Sequence, residues 1–167
     1  QRSGLPVSTT GCKVYYNFNE SSGDLINIAT TANDFSDGTG STNDGTVGSG
    51  VTRDVSGIIG NAYDFDGTTN GNVSIGSNVV SGTGAFSLSV WVYHDAESGS
   101  EGIIYLGGGE ILLYSGSADK WHAMGVTGTS TATTATWYHL CVTRDGSSGL
   151  TLYVNGTSEA TGTVGTS

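Results

Sequence analysis

Phe86-Ser-Leu-Ser-Val-Trp-Val-Tyr93 alternates strictly: Phe86, Leu88, Val90 and Val92 fall on one face, and Ser87, Ser89, Trp91 and Tyr93 on the other. Side chains of a β-strand point to opposite faces with period 2, so this is a strand with one face in a core. Its second face ends in two large aromatics instead of charges. An antiparallel sheet uses such a face to hold a flat ligand, or covers it with loops.

Working outward, the same short alternating runs recur between clusters of Gly, Ser, Thr, Asn and Asp. Lys13–Phe18, Ala62–Asp66, Asn72–Gly76, Gly102–Leu106, Glu110–Tyr114, Lys120–Val126, Trp137–Arg144 and Leu150–Gly156 read as strands. Leu25–Ile28 is a short apolar segment, and Asp145–Gly149 reads as a hairpin turn. Thr30–Gly50 and Thr127–Thr136 read as loop or tract, and residues 157–167 are weakly patterned. About ten short strands with turns at close spacing, and no 3.6-residue period, predict an all-β sandwich.

Composition agrees. The 167 residues are 35% hydrophobic and include 28 glycines, with a single proline. That glycine content is about two to three times the usual share and suits a turn-rich β protein. Residues 1–12 read as a lead-in or linker, and residues 13–167 as a single domain.

Five Lys and Arg against fifteen Asp and Glu give a formal net charge of −10. With no basic cluster, phosphate-backbone binding has no footprint, which argues against nucleic acid and against anionic membrane surfaces. No stretch approaches the roughly 18 apolar residues of a membrane span. The N-terminus lacks a charged-then-apolar leader pattern, so a leader has been removed or the protein reaches the outside as virion proteins do. Cys12 and Cys141 form no metal-type spacing and leave two readings open: a disulfide, or two reduced, buried thiols.

Catalytic signatures are weak. A glycosidase needs two carboxylates flanking the scissile bond, about 5 Å apart in retaining enzymes. Glu20, Glu97, Glu101, Glu110 and Glu159 contain no pair at strand-alternating spacing. Asp64 and Asp66 alternate, but within an Asp-Phe-Asp-Gly turn motif. There is no Gly-x-Ser-x-Gly elbow and no phosphate-binding glycine loop. The chain reads as no enzyme.

Aromatics carry the functional signal instead. Trp91, Tyr93 and Trp121 stand in expected strands, and aromatic faces cover the apolar C–H surface of sugars while polar groups bond the hydroxyls. These three are the candidate glycan contacts. Trp137 and His139 read as packed strand positions.

The order of motifs resembles the concanavalin A-like lectin/glucanase superfamily, in its laminin G-like branch. The resemblance rests on Tyr15-Tyr-Asn-Phe-Asn-Glu-Ser-Ser-Gly23, Asn43-Asp-Gly-Thr46, Gly60-Asn-Ala-Tyr-Asp-Phe-Asp-Gly67, Phe86–Val92, Trp137-Tyr-His-Leu140 with Thr143-Arg-Asp-Gly146, and Leu152-Tyr-Val-Asn-Gly156. It implies a jelly roll of two antiparallel sheets, with a concave face that binds sugars in many relatives. Such relatives occur as modules of secreted glycosidases, as adhesion domains, and in virion and tail-fibre proteins. Relatives also end with a closing strand containing an acid, of which residues 157–167 hold no recognisable version. The resemblance therefore implies an open sheet edge that invites a neighbouring subunit. It brings Ca²⁺ as the one expected cofactor: the family's ligand positions fall on Asn27, Asn43 and Asp44, with the third acid absent.

Two functional expectations follow. The first is a non-catalytic module that binds glycans or cell-surface polysaccharide, extracellular or displayed on a particle. The alternative is a structural or decoration subunit of a virion, tail fibre or other surface assembly. A glycoside hydrolase ranks third.

Overall fold

Among the residues described by the computed structural model (16, 18–23, 44–75, 84–95, 99–106, 109–115 and 118–164) there are twelve β-strands and no helix. The chain divides into two compact units, Gln1–Val79 and Val80–Ser167.

The first unit holds β1 (Gly45–Val47), β2 (Val51–Ser56), β3 (Asn61–Phe65) and β4 (Val73–Ile75). β1 pairs antiparallel with β4, and β2 with β3. The register of the second pair slips between Thr52 and Val55, where Asp54 takes a φ of 59°. That is a bulge in a left-handed conformation, which Asp tolerates better than most residues. The Asn61 amide donates to Asp54 Oδ1 at 2.9 Å and holds it there. Tyr63 is the buried anchor of this unit. Its ring meets Phe18 edge-on with centroids 5.1 Å apart, and its hydroxyl donates to the Glu20 carbonyl at 2.9 Å. Burial in turn pushes the Tyr63 phenol up, with the Glu20 charge adding to it.

Two expectations change here. Thr30–Gly50 is not a loop throughout, because Gly45–Val47 forms β1, and Val51–Ser56 forms a strand that sequence reading passed over. Arg53 and Asp54 break up its apolar pattern, yet Val51, Arg53 and Val55 are half-buried on one side. The expected strand Lys13–Phe18 lies mostly outside the described residues, and Leu25–Ile28 wholly so.

The second unit is a sandwich of two antiparallel four-stranded sheets. One has the order β12-β11-β10-β5, from β12 (Thr157–Thr163), β11 (Gly149–Val154), β10 (Thr136–Arg144) and β5 (Phe86–His94). The other runs β6 (Ser100–Leu106), β7 (Gly109–Ser115), β8 (Lys120–Ala123), β9 (Val126–Thr131). Leu112, Tyr114, Trp121 and Ala123 from the second sheet meet Tyr138, Leu140, Val142, Leu150, Leu152 and Val154 from the first. Phe86, Leu88, Val90 and Val92 pack against this core, as their alternation predicted. Each fully buried large side chain of this kind contributes about 1.5–3 kcal/mol.

Two hairpins close with paired positive φ values. Met124-Gly125 (43° and 89°) joins Ala123 to its partner Val126, and Asn155-Gly156 (50° and 81°) joins Val154 to Thr157. Two residues with both φ positive are the type I′ signature, whose twist matches that of the strands it joins. The first of these turns corrects the expectation of one strand over Lys120–Val126. The chain reverses at Met124-Gly125, and Thr127–Thr131 of the Thr/Ala tract become β9, as β-branched residues readily do.

The end of the chain is also corrected. Residues 157–163 form β12, in register with β11 apart from a slip at Leu152/Tyr153. Glu159, from this strand, accepts the Thr129 and Ser130 backbone N–H groups at 3.0 Å each and is also bonded by the Ser130 hydroxyl. The weakly patterned tail thus supplies both an outer strand and a tie to the opposite sheet.

Candidate functional site

The outer face of the β12-β11-β10-β5 sheet sets two exposed aromatic side chains, Trp91 and Tyr93, each beside a half-buried ring of the neighbouring strand. On β5, the residues that alternate with the core row are Ser87, Ser89, Trp91 and Tyr93, all exposed. On β10 the same face carries Trp137, His139, Cys141 and Thr143, each half-buried, while Tyr138, Leu140, Val142 and Arg144 turn inward. The antiparallel register sets Trp91 opposite His139 and Tyr93 opposite Trp137. Their ring centroids lie 5.1 and 5.3 Å apart, tilted by 47° and 53°. Cross-strand aromatic pairs at this range stabilise each other and hold their rings in place. Trp91 and Tyr93 are nevertheless each 46% exposed, which leaves ring surface for a ligand.

Asn155 helps to fix this platform. Its side-chain oxygen accepts the His139 backbone N–H at 2.9 Å, while its own N–H donates to the His139 carbonyl at 2.8 Å. The hairpin turn therefore clasps β10 at the residue that stacks on Trp91.

Of the three candidate glycan contacts, Trp91 and Tyr93 stand together on this face. Trp121 is a correction: it is 1% exposed and packs in the core against His94, Tyr114 and Tyr138, with centroids 5.7, 5.8 and 5.1 Å away. A side chain so enclosed offers no surface to a ligand. Sequence reasoning assigned Trp137 and His139 to packing, yet they complete the platform. The signal that could have found them is their own alternation against Tyr138, Leu140 and Val142. The register that sets them beside Tyr93 and Trp91 was not legible.

The outward positions of β5, β10 and β11 carry no Asp, Glu, Lys or Arg, although the chain as a whole has a net charge of −10. Acids stand just past the strand ends: exposed Asp95 follows Tyr93 by two residues, and Asp145 follows β10 with its Oδ1 accepting the Ser147 and Gly149 N–H groups at 2.8 Å each. Those two bonds hold the Asp145 carboxyl below the usual carboxylate range. Asp66, which alternates with Asp64, is likewise committed, with Oδ1 accepting from Thr68 N and Oγ1 at 2.9 and 2.8 Å. The two Thr68 bonds lower its carboxyl as well.

Cys141 lies on the outer face of β10 with no disulfide partner among the described residues, and burial pushes its thiol pKa up. Cys12 lies outside the described residues. Of the expected calcium ligands, Asn27 and Asn43 also lie outside them, and Asp44 directly precedes β1. Among the described residues no group of three or more His, Cys, Asp or Glu side chains gathers to hold a metal ion.

A family model described as concanavalin A-like lectin/glucanases superfamily, of laminin G type, matches residues 66–167, more than half of the chain. That span includes every strand of the second unit and all four aromatics of the platform. No curated protein and no solved structure matches the chain.

Proposed function

The chain belongs to the concanavalin A-like lectin/glucanases superfamily, and we propose that it is a non-catalytic carbohydrate-binding module, acting outside the cell or on a particle surface. The observation that carries this reading is the paired aromatic platform: Trp91 on His139 and Tyr93 on Trp137, open to solvent on a sheet face without charges. Sugar rings present apolar C–H faces that stack on such rings, and their hydroxyls bond to nearby polar groups. The two alternating carboxylates of the described residues do not favour hydrolysis, because Asp66 is bound within its own turn.

A glycan array read with the wild-type protein and Trp91→Ala tests the proposal. Selective binding that Trp91→Ala abolishes supports it. Binding to no glycan, or binding unchanged by the substitution, removes it.

One observation favours a second reading. Among the described residues β5, nine residues long, is the outer strand of its sheet, and an outer strand presents backbone groups that another chain can pair with. In that reading the protein is a structural subunit of a surface assembly. A concentration-independent monomeric mass in solution would argue against it. Calcium held by Asn27, Asn43 and Asp44 is tested separately: a thermal midpoint unchanged by millimolar Ca²⁺ removes the structural ion.

A further inference from the structure

Three features of the outer sheet face narrow the ligand. The first is its neutrality within an acidic chain. An anionic glycan would meet no Lys or Arg on the outward positions of β5, β10 and β11, and would be repelled by the net charge of −10. A cationic glycan would find no carboxylate at those positions, and only Asp95 just past the end of β5.

The second feature is a row of hydroxyls at the opposite end of the same strands. Register aligns Ser87 with Thr143, Thr143 with Thr151, and Thr151 with Thr161, one hydroxyl on each of the four strands. Among the described residues, none of these side chains is engaged in a hydrogen bond within the protein. They are free to donate to and accept from a ligand.

The third feature is distance. Trp91 and Ser87 are four residues apart on β5, about 14 Å at ~3.4 Å per residue. No single sugar ring spans that gap, so a ligand that touches both ends is a chain of several sugars.

We infer that the ligand is an uncharged polysaccharide, bound internally along its chain, stacked at one end on the Trp91/Tyr93 platform and hydrogen-bonded at the other by the Ser87–Thr143–Thr151–Thr161 row. This rests on the carbohydrate-binding reading and specifies its ligand class.

Affinity electrophoresis through gels containing hydroxyethylcellulose, mixed-linkage β-glucan or galactomannan, against heparin and polygalacturonate, tests the charge class. Titration with the monosaccharide, tetrasaccharide and hexasaccharide of the retarding polymer tests length. The expected result is retardation by a neutral polymer, insensitive to salt, with the hexasaccharide at least about tenfold tighter than the monosaccharide. The double variant Thr143→Val, Thr151→Val, which preserves β-branched shape, is expected to weaken hexasaccharide binding several-fold with an unchanged melting temperature.

Retardation only by heparin or polygalacturonate, collapsing at high salt, overturns the neutral class while leaving the carbohydrate reading intact. Equal affinity for monosaccharide and hexasaccharide, or no effect of the double variant, overturns binding along the chain. Failure of every polymer here and of every glycan on the array overturns both proposals together.

Discussion

Replacing Trp91 and Trp121 by alanine, one at a time, separates the two faces of the sandwich with the same chemical change. Trp121 is 1% exposed and edge-packed on three aromatic neighbours, so its removal leaves a cavity. Large-to-small changes of that kind cost about 3–5 kcal/mol. At ~2–4 °C per kcal/mol for a chain of this size, the melting temperature should fall by roughly 6–20 °C. Trp91 is 46% exposed and so forfeits only about half of the area a tryptophan offers. Half of ~200 Å² at ~25 cal/mol per Å² is about 2.5 kcal/mol as an upper bound, and solvent fills the space left behind. Binding should rank the other way. Loss of a central aromatic anchor costs ~2 kcal/mol or more, about thirtyfold in affinity. The folded Trp121→Ala protein should keep the wild-type affinity, measured below its melting temperature. Differential scanning calorimetry and titration with the best array glycan give both numbers on the same samples. The reasoning fails if Trp91→Ala destabilises more than Trp121→Ala, or if a folded Trp121→Ala protein loses binding while Trp91→Ala retains it.

Gly156→Ala isolates backbone conformation: φ is 81° and nothing lies within 4 Å of the added carbon, so urea titration should show a loss of about 1–2 kcal/mol without a clash. Glu159→Ala should cost about 1–2 kcal/mol by orphaning the Thr129 and Ser130 N–H groups, with Glu159→Gln milder. Faster hydrogen exchange at those two amides is the specific readout, and unchanged exchange would refute the tie. Asp145 titrates below its unfolded value, so its stabilisation is complete above the ordinary carboxylate range and is lost as pH falls through the lower folded value. Asp145→Asn should flatten that acid limb of the stability curve, and an unaltered limb would assign the pH dependence elsewhere. The raised Cys141 thiol should alkylate more slowly than a small-molecule thiol at mildly alkaline pH. Mass analysis of the unreduced protein tests whether Cys12 pairs with it.

The strand at Phe86–Val92 was legible because both of its faces are uniform: four apolar residues one way, serines and aromatics the other. The same regularity exposed β10 and β11. β2 was hidden because Arg53 and Asp54 interrupt its apolar pattern, and Asp54 sits in a bulge where the pairing register with β3 slips. The Met124-Gly125 turn escaped notice because methionine is no usual turn former, whereas Asn155-Gly156 announces itself. β12 has almost no apolar signal, only Ala160 against the core, and owes its place to pairing with β11 and to Glu159. As for the site, Trp91 and Tyr93 could be placed on an outer face from alternation alone. Trp121 could not be told from them, because period 2 assigns residues to two faces without saying which is wet. That choice depends on which sheet lies opposite, and so does the partnership with Trp137 and His139.

The pairing of β5 with β10 has a consequence for how the protein is made. The hairpins β8–β9, β10–β11 and β11–β12 join neighbours in sequence and can close within microseconds. β5 must wait, because the four strands of the other sheet separate it from its partner, and closing so long an excursion is entropically slow. Half of the aromatic platform rides on β5 and half on β10. A newly made chain therefore completes this platform only once that long-range pairing is in place, and a chain that loses the pairing takes the platform apart.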